Sequence, residues 1–208
     1  MKSITTYIKE ALNSDIQNWL NDVYETNKTL IKNNKVTPIE IDVNKLNKPS
    51  KPFDYDQFIN DPIFKKTIGD NLVGFTVTNQ IISNLNKYLI DKNNNKELKP
   101  NCYPYWYSIP IDKNTQNTFF VGLCLYDRNI TYLNNYLHLI SIESSLFVKN
   151  SINLNKAILN DFSKVVKKVN SKYEGISANP IHPKMKAILI KLGFTPSHDN
   201  KDIFIYKI

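Results

Sequence analysis

Apolar residues recur along this chain in two periods, and the change of period organises it. Near the start, Ile4, Tyr7, Ile8 and Leu12 fall at i, i+3, i+4 and i+8, the spacing of one helical face, with Lys2, Lys9 and Glu10 away from it. Ile16, Trp19, Leu20, Val23 and Tyr24 form a second stripe, which predicts a helix from about Ser14 to Ile31 with Ser14 or Asp15 as its cap. The period then drops to two. Ile39, Ile41 and Val43 alternate with polar residues, which predicts a short strand over Val36–Val43. A polar connector with two prolines follows at 44–53. Asp61-Pro62 reads as cap and first position of a short helix to about Ile68. Helical spacing returns over Gln80–Leu89, and Asp91–Pro100 has the composition of a loop.

The second half is clearer. Tyr103–Ile111, Thr118–Tyr126 and Leu137–Val148 read as three strands, the first two separated by a turn at Asp112–Asn117. Leu154, Ile158, Leu159, Phe162, Val165 and Val169 mark a helix over Leu154–Val169. Glu174–Ala178 is a short strand, Pro183–Leu192 a helix stopped by Gly193, and Ile203–Ile208 a last strand. The order is mixed α/β: an antiparallel meander followed by a strand–helix–strand crossover, with an N-terminal helical extension over 1–35 and one domain over 36–208. The crossover predicts that Leu137–Val148 and Glu174–Ala178 lie side by side and parallel.

Composition narrows the function classes. No apolar run reaches the length of a membrane span, and no signal-peptide core is present, so a cytoplasmic protein is expected. Two cysteines, Cys102 and Cys124, exclude a disulfide framework and a cysteine-rich zinc site. His138, His182 and His198 lack metal-ligand spacing, so no metal is expected. The 27 basic against 19 acidic residues give a net charge of +8, yet Arg128 is the single arginine. Bidentate reading of bases and phosphates uses arginine, so nucleic acid is expected to bind only weakly and nonspecifically.

The segment His182–Phe194, HPKMKAILIKLGF, followed by the strand IFIYKI, resembles the last helix and strand of the GNAT family of N-acetyltransferases, where the pattern runs Asn-x-x-Ala-x-x-x-Tyr-x-x-x-Gly-Phe. Leu137–Phe162 resembles the unit before it, a strand, a phosphate-binding turn and a helix. The resemblance spans about residues 100–208 and implies an acyl-CoA-dependent N-acyltransferase using acetyl-CoA or another acyl-CoA.

The resemblance also assigns roles. The first-turn N–H groups of a helix attract a pyrophosphate, which points to Ser151, Asn153 and Asn155, with Lys149 adding charge. Backbone at Leu139 and Ile142 would orient the thioester. His182 stands where the family carries a cofactor-contacting asparagine, and Leu189 where it carries a tyrosine acid. The glycines that usually let the backbone approach the phosphates are replaced by Lys149-Asn150-Ser151-Ile152-Asn153, a departure at the cofactor turn. Glu143 matches the place of a general base that acts on an amine through water, or is a solvent-facing strand residue. Tyr105 and Tyr107, in the run Tyr103-Tyr105-Trp106-Tyr107, either wall the acceptor site or pack as strand aromatics. His138 reads as a hydrogen-bonded strand residue, and Cys124 as a buried thiol.

The N-terminus carries a separate resemblance. Met1-Lys2, Tyr7-Ile8 and Glu10-Ala11 look like the capsid-targeting leader of internal head proteins of tailed phages, cut after an Ile/Leu-x-Glu pattern that Ile8-Lys9-Glu10 fits. It implies a scaffold or head protease as partner of residues 1–12 and packaging in a phage head. Two functions therefore stand: a GNAT-like N-acyltransferase with a degenerate cofactor loop, or a non-catalytic virion protein that keeps the fold.

Overall fold

A computed structural model describes residues 37–63 and 132–208 except 150, the strands at 102–110 and 118–127, and separate positions within 18–33 and 72–94. The leader at 1–12, the turn at 112–117 and most of the loop at 91–100 lie outside the described residues. By contact density the chain divides into two compact units, Met1–Thr37 with Asp54–Pro100, and Pro38–Phe53 with Asn101–Ile208.

In the first unit the described positions between 18 and 33 are helical, as the second apolar stripe predicts. Helix α1, Tyr55–Asn60, was not legible as a helix. Its start is fixed by Asp54, whose carboxylate accepts from the Gln57 N–H at 3.0 Å. Asp61 closes α1, and its side chain accepts the Ile63 N–H at 2.9 Å, so it does cap the next turn at Pro62. Tyr55 stacks on Tyr88 with ring centroids 5.2 Å apart, and Leu72, Phe75 and Leu85 are buried.

The second unit holds a six-stranded mixed sheet. Its strands are β1 (Cys102–Pro110), β2 (Thr118–Asp127), β3 (Tyr136–Ser144), β4 (Gly175–Ala178), β5 (Thr195–Pro196) and β6 (Phe204–Lys207), in the order β1-β2-β3-β4-β6-β5. β1, β2 and β3 form the antiparallel meander, β3 and β4 are parallel, and β4, β6 and β5 are antiparallel again. Helix α2, Ser151–Val169, is the crossover between the parallel pair, as expected. Helix α3, Pro183–Leu192, ends at Gly193, whose φ of 99° is the left-handed cap that a residue with a Cβ resists.

The core forms where α2 lies on the sheet. Leu154, Ile158, Leu159, Phe162 and Val166 recur along one face of α2 and meet Tyr107, Val121, Tyr126, Leu137, Leu139 and Ile176. Gly122 of β2 admits this close approach, because a Cβ there would strike the Ile158 side chain.

The strand expected over Val36–Val43 is corrected at its described residues, 37–43. Instead of a strand, Ile39 makes a single parallel bridge to Val148, and Val43–Lys45 form a 3₁₀ turn capped by Asp42. The alternation is real, since Ile41 and Val43 pack against the core. The ladder is missing because the partner is the short link between β3 and α2. β3 also stops at Ser144 rather than Val148, where the Val148 N–H turns back to the Ser145 carbonyl at 3.0 Å.

Candidate active site

β4 is short for a sequence reason. Asn179-Pro180 follows Ala178, and Pro180 has no N–H to continue a ladder. β4 therefore pairs with β3 only at Tyr136–Gly175, Leu137–Ile176 and His138–Ser177. β3 runs on beside β2 as far as Ser144. Among the described residues, no strand pairs with the other edge of β3 from Leu139 to Ser144. Leu139 is buried in the core, and residues 140–144 are half-buried. Among the described residues, the sheet thus carries no further strand on that side of β3 beyond the His138–Ser177 pair.

The link from β3 to α2 is held from below. The Ile39 N–H donates to the Phe147 carbonyl at 2.8 Å, and the Lys149 N–H donates to the Ile39 carbonyl at 2.8 Å. That bond turns the Lys149 amide toward Ile39, so Lys149 can offer an anion only its exposed side chain. The first turn of α2 is more open. Ser151 and Asn153 are exposed, and Ile152 is half-buried. Asn155, one turn in, is buried, and its Oδ1 finds no hydrogen-bond partner among the described residues.

The other sequence candidates fall in different places. Glu143 is half-buried near the end of β3, paired with Leu123, while Ile142 pairs with Cys124 and leans on the core. Leu139 and Ile142 thus lie on the stretch of β3 beyond its pairing with β4, and Ser151, Asn153 and Asn155 on the first turns of α2. His182 is the N-cap of α3, its Nδ1 accepting the Lys184 N–H at 3.2 Å. Leu189 is buried in the core.

Tyr105 and Tyr107 lie on β1, two strands away from β3. Tyr107 is fully buried and donates its hydroxyl to Asp161 Oδ2 at 3.3 Å. Burial, then the neighbouring Cys124 and Asp161, raise the pKa of its phenol far above the ordinary value. Burial also pushes the Cys124 thiol up, which leaves it inert. Tyr105 borders a cavity of about 550 Å³ that Lys48, Asp161, Lys164 and Lys168 also line. Lys48 reaches Asp161 Oδ1 at 3.8 Å.

The sequence reading missed His138. Its position between Leu137 and Leu139 suggested a hydrogen-bonded strand residue, but the buried Nδ1 has no partner among the described residues. Only the register, which sets it opposite Asp127 and Ser177, exposes this, and no sequence signal carries register across a helical crossover.

No family model matches the chain, and no curated protein does either. The comparison with solved structures gives partial matches. One is a KacTA–DNA complex, at a TM-score of 0.43 and 13% identity, covering 62% of this chain and 79% of that one. A mutant AtaT toxin bound to the C-terminus of the antitoxin AtaR gives 0.42 and 12%, covering 78% and 93%. AtaTR bound with AcCoA gives 0.40 and 14%, covering 64% and 82%.

Proposed function

We propose that the chain is an acyl-CoA-dependent N-acyltransferase of the GNAT type. The observation that carries this reading is the confinement of β3–β4 pairing to three residue pairs, with the start of α2 beyond the end of β3. An extended thiol-bearing arm could lie along β3 beyond those pairs and pair with backbone at Leu139 and Ile142, as an added strand would. At the far end, the unpaired N–H groups and partial positive charge of the first turn of α2 suit a pyrophosphate. Ser151 and Asn153 are small or short and exposed there, and Lys149 supplies a nearby ammonium. Asn155 Oδ1, unmatched among the described residues, is the kind of buried polar atom that a ligand donor would satisfy. His182 keeps Nε2 for a ligand, because Nδ1 is engaged in capping α3. Acyl-CoA would supply an activated carbonyl, and the residues of this chain would orient it and receive the proton of the attacking amine.

The test is binding. A ligand that avoids the unfolded chain stabilises the fold by ~2.7 kcal/mol at a hundredfold excess over Kd. Calorimetry and thermal shift with millimolar CoA should show binding, and an unchanged melting temperature with no heat would overturn the reading. The non-catalytic virion alternative rests on the N-terminal motif, outside the described residues. It requires protein in purified particles to begin at Ala11, which intact mass would reveal.

A further inference from the structure

β3 and β4 separate at a row of polar side chains. His138 is the last β3 residue paired with β4, opposite Ser177, and on its other side it pairs with Asp127 of β2. Leu137 and Leu139 point into the core under α2, so His138 projects from the opposite face of the sheet. Paired residues on neighbouring strands share a face, which puts Asp127, His138 and Ser177 side by side. Their exposures are 6%, 7% and 0%. Both His138 Nδ1 and Ser177 Oγ are buried without a hydrogen-bond partner among the described residues. A fold seldom leaves two such atoms unmatched on adjacent strands unless the site has another use.

Among the described residues, the ring is held by Tyr132, edge-on at 4.8 Å, and Asp127 is the charged group facing it. Burial lowers the imidazole's proton affinity from the ordinary 6.5, with Asp127 opposing that effect, so the ring is neutral near neutral pH. Position along β3 matters equally. In a CoA thioester the pyrophosphate and the sulfur lie at opposite ends of one arm. With the pyrophosphate at Ser151, past the end of β3, the sulfur lies back toward the point where β3 and β4 meet. Glu143 stands at the pyrophosphate end of β3. His138 stands at the meeting point, roughly 16 Å away at a rise of about 3.3 Å per residue.

We propose that His138 is the general base of acyl transfer, with Ser177 and Asp127 stabilising the ring once it is protonated; this rests on the acyl-CoA reading above. The acceptor nitrogen's lone pair bonds to the thioester carbonyl carbon, and its proton passes to the imidazole, directly or through one water. The carbon–sulfur bond breaks, its electron pair stays on sulfur, and the thiolate leaves and is protonated by solvent. The Ser177 hydroxyl can rotate to accept from the new imidazolium N–H, and the Asp127 carboxylate offsets its charge.

The first measurement needs no acceptor. Imidazole proton–nitrogen NMR spectra of the full chain, with and without acetyl-CoA, follow His138 while calorimetry follows binding. The His138 resonances should titrate below 6.5 and move when acetyl-CoA binds. Binding that leaves them unmoved overturns this proposal alone, whereas no binding overturns the acyl-CoA reading on which it rests. The second measurement is thiol release from acetyl-CoA with water and with a mixture of primary amines. The wild-type rate should fall with pH below 6.5, and His138→Gln should be slowed by ~10²–10⁴-fold with CoA affinity kept. Unchanged turnover in His138→Gln, a loss confined to Glu143→Gln, or bound acetyl-CoA that never releases thiol each overturns the proposal.

Discussion

Single residues carry two constraints that can be measured without knowing the substrate. Gly175 opens β4, and a Cβ on it would strike the backbone carbonyl oxygen of Tyr206 on the paired strand β6. Backbone in a ladder cannot step aside as a side chain can, so Gly175→Ala should destabilise the fold by about 1–3 kcal/mol, read as a lower urea midpoint. His138 supplies the other. Its folded pKa lies below the ordinary 6.5, so the folded chain binds a proton there less readily than the unfolded chain. The stability linked to this group is therefore fully present above 6.5 and is lost as pH falls through the folded pKa. Urea midpoints on either side of that value should show the decline, and His138→Gln should flatten it. An equal decline in the variant would assign the effect to other groups.

Among the elements, α2 links packing to ligand chemistry most directly. Its buried face is apolar except for Asn155, whose Oδ1 is unmatched among the described residues. An unmatched buried polar atom costs about 1–3 kcal/mol, so Asn155→Leu, which keeps the side chain's size, should hold or raise the melting temperature. If the residue serves a ligand, the same variant should weaken CoA binding, and stability and affinity would then move in opposite directions. A variant less stable and equally tight would make Asn155 a packing residue only. The crossover around α2 was legible because each part has its own period: alternation in 137–144, helical spacing in 154–166, and a short apolar strand at 175–178. Ile39, Ile41 and Val43 alternate as well, yet make no ladder. Alternation reports which side chains are covered, and the ladder depends on a partner elsewhere in the chain. The early end of β3–β4 pairing was hidden for the same reason, although Asn179-Pro180 does mark where β4 must stop.

Across the whole molecule, the +8 charge is carried almost entirely by lysine. A lysine ammonium is a compact, flexible point charge that meets a phosphate without the forked geometry that reads a base edge. Any attraction to nucleic acid should therefore be independent of sequence and sensitive to salt. The charge is also locally concentrated, with Lys48, Lys164 and Lys168 lining one cavity whose acidic member is Asp161. Lys48 is already opposite Asp161, which leaves Lys164 and Lys168 on the exposed side of α2 to meet phosphates. Two unrelated duplexes of equal length should bind alike and be released between about 50 and 200 mM salt, because each phosphate contact contributes about 0.9 to the slope of log affinity on log salt. The Lys164→Glu, Lys168→Glu double variant should lower that slope by about 2. Both residues lie in the later turns of α2, away from its first turn at Ser151, so CoA binding should not change in this variant. A duplex preference that survives high salt would mean that bases are being read, and would overturn the view of the charge as a sequence-blind surface.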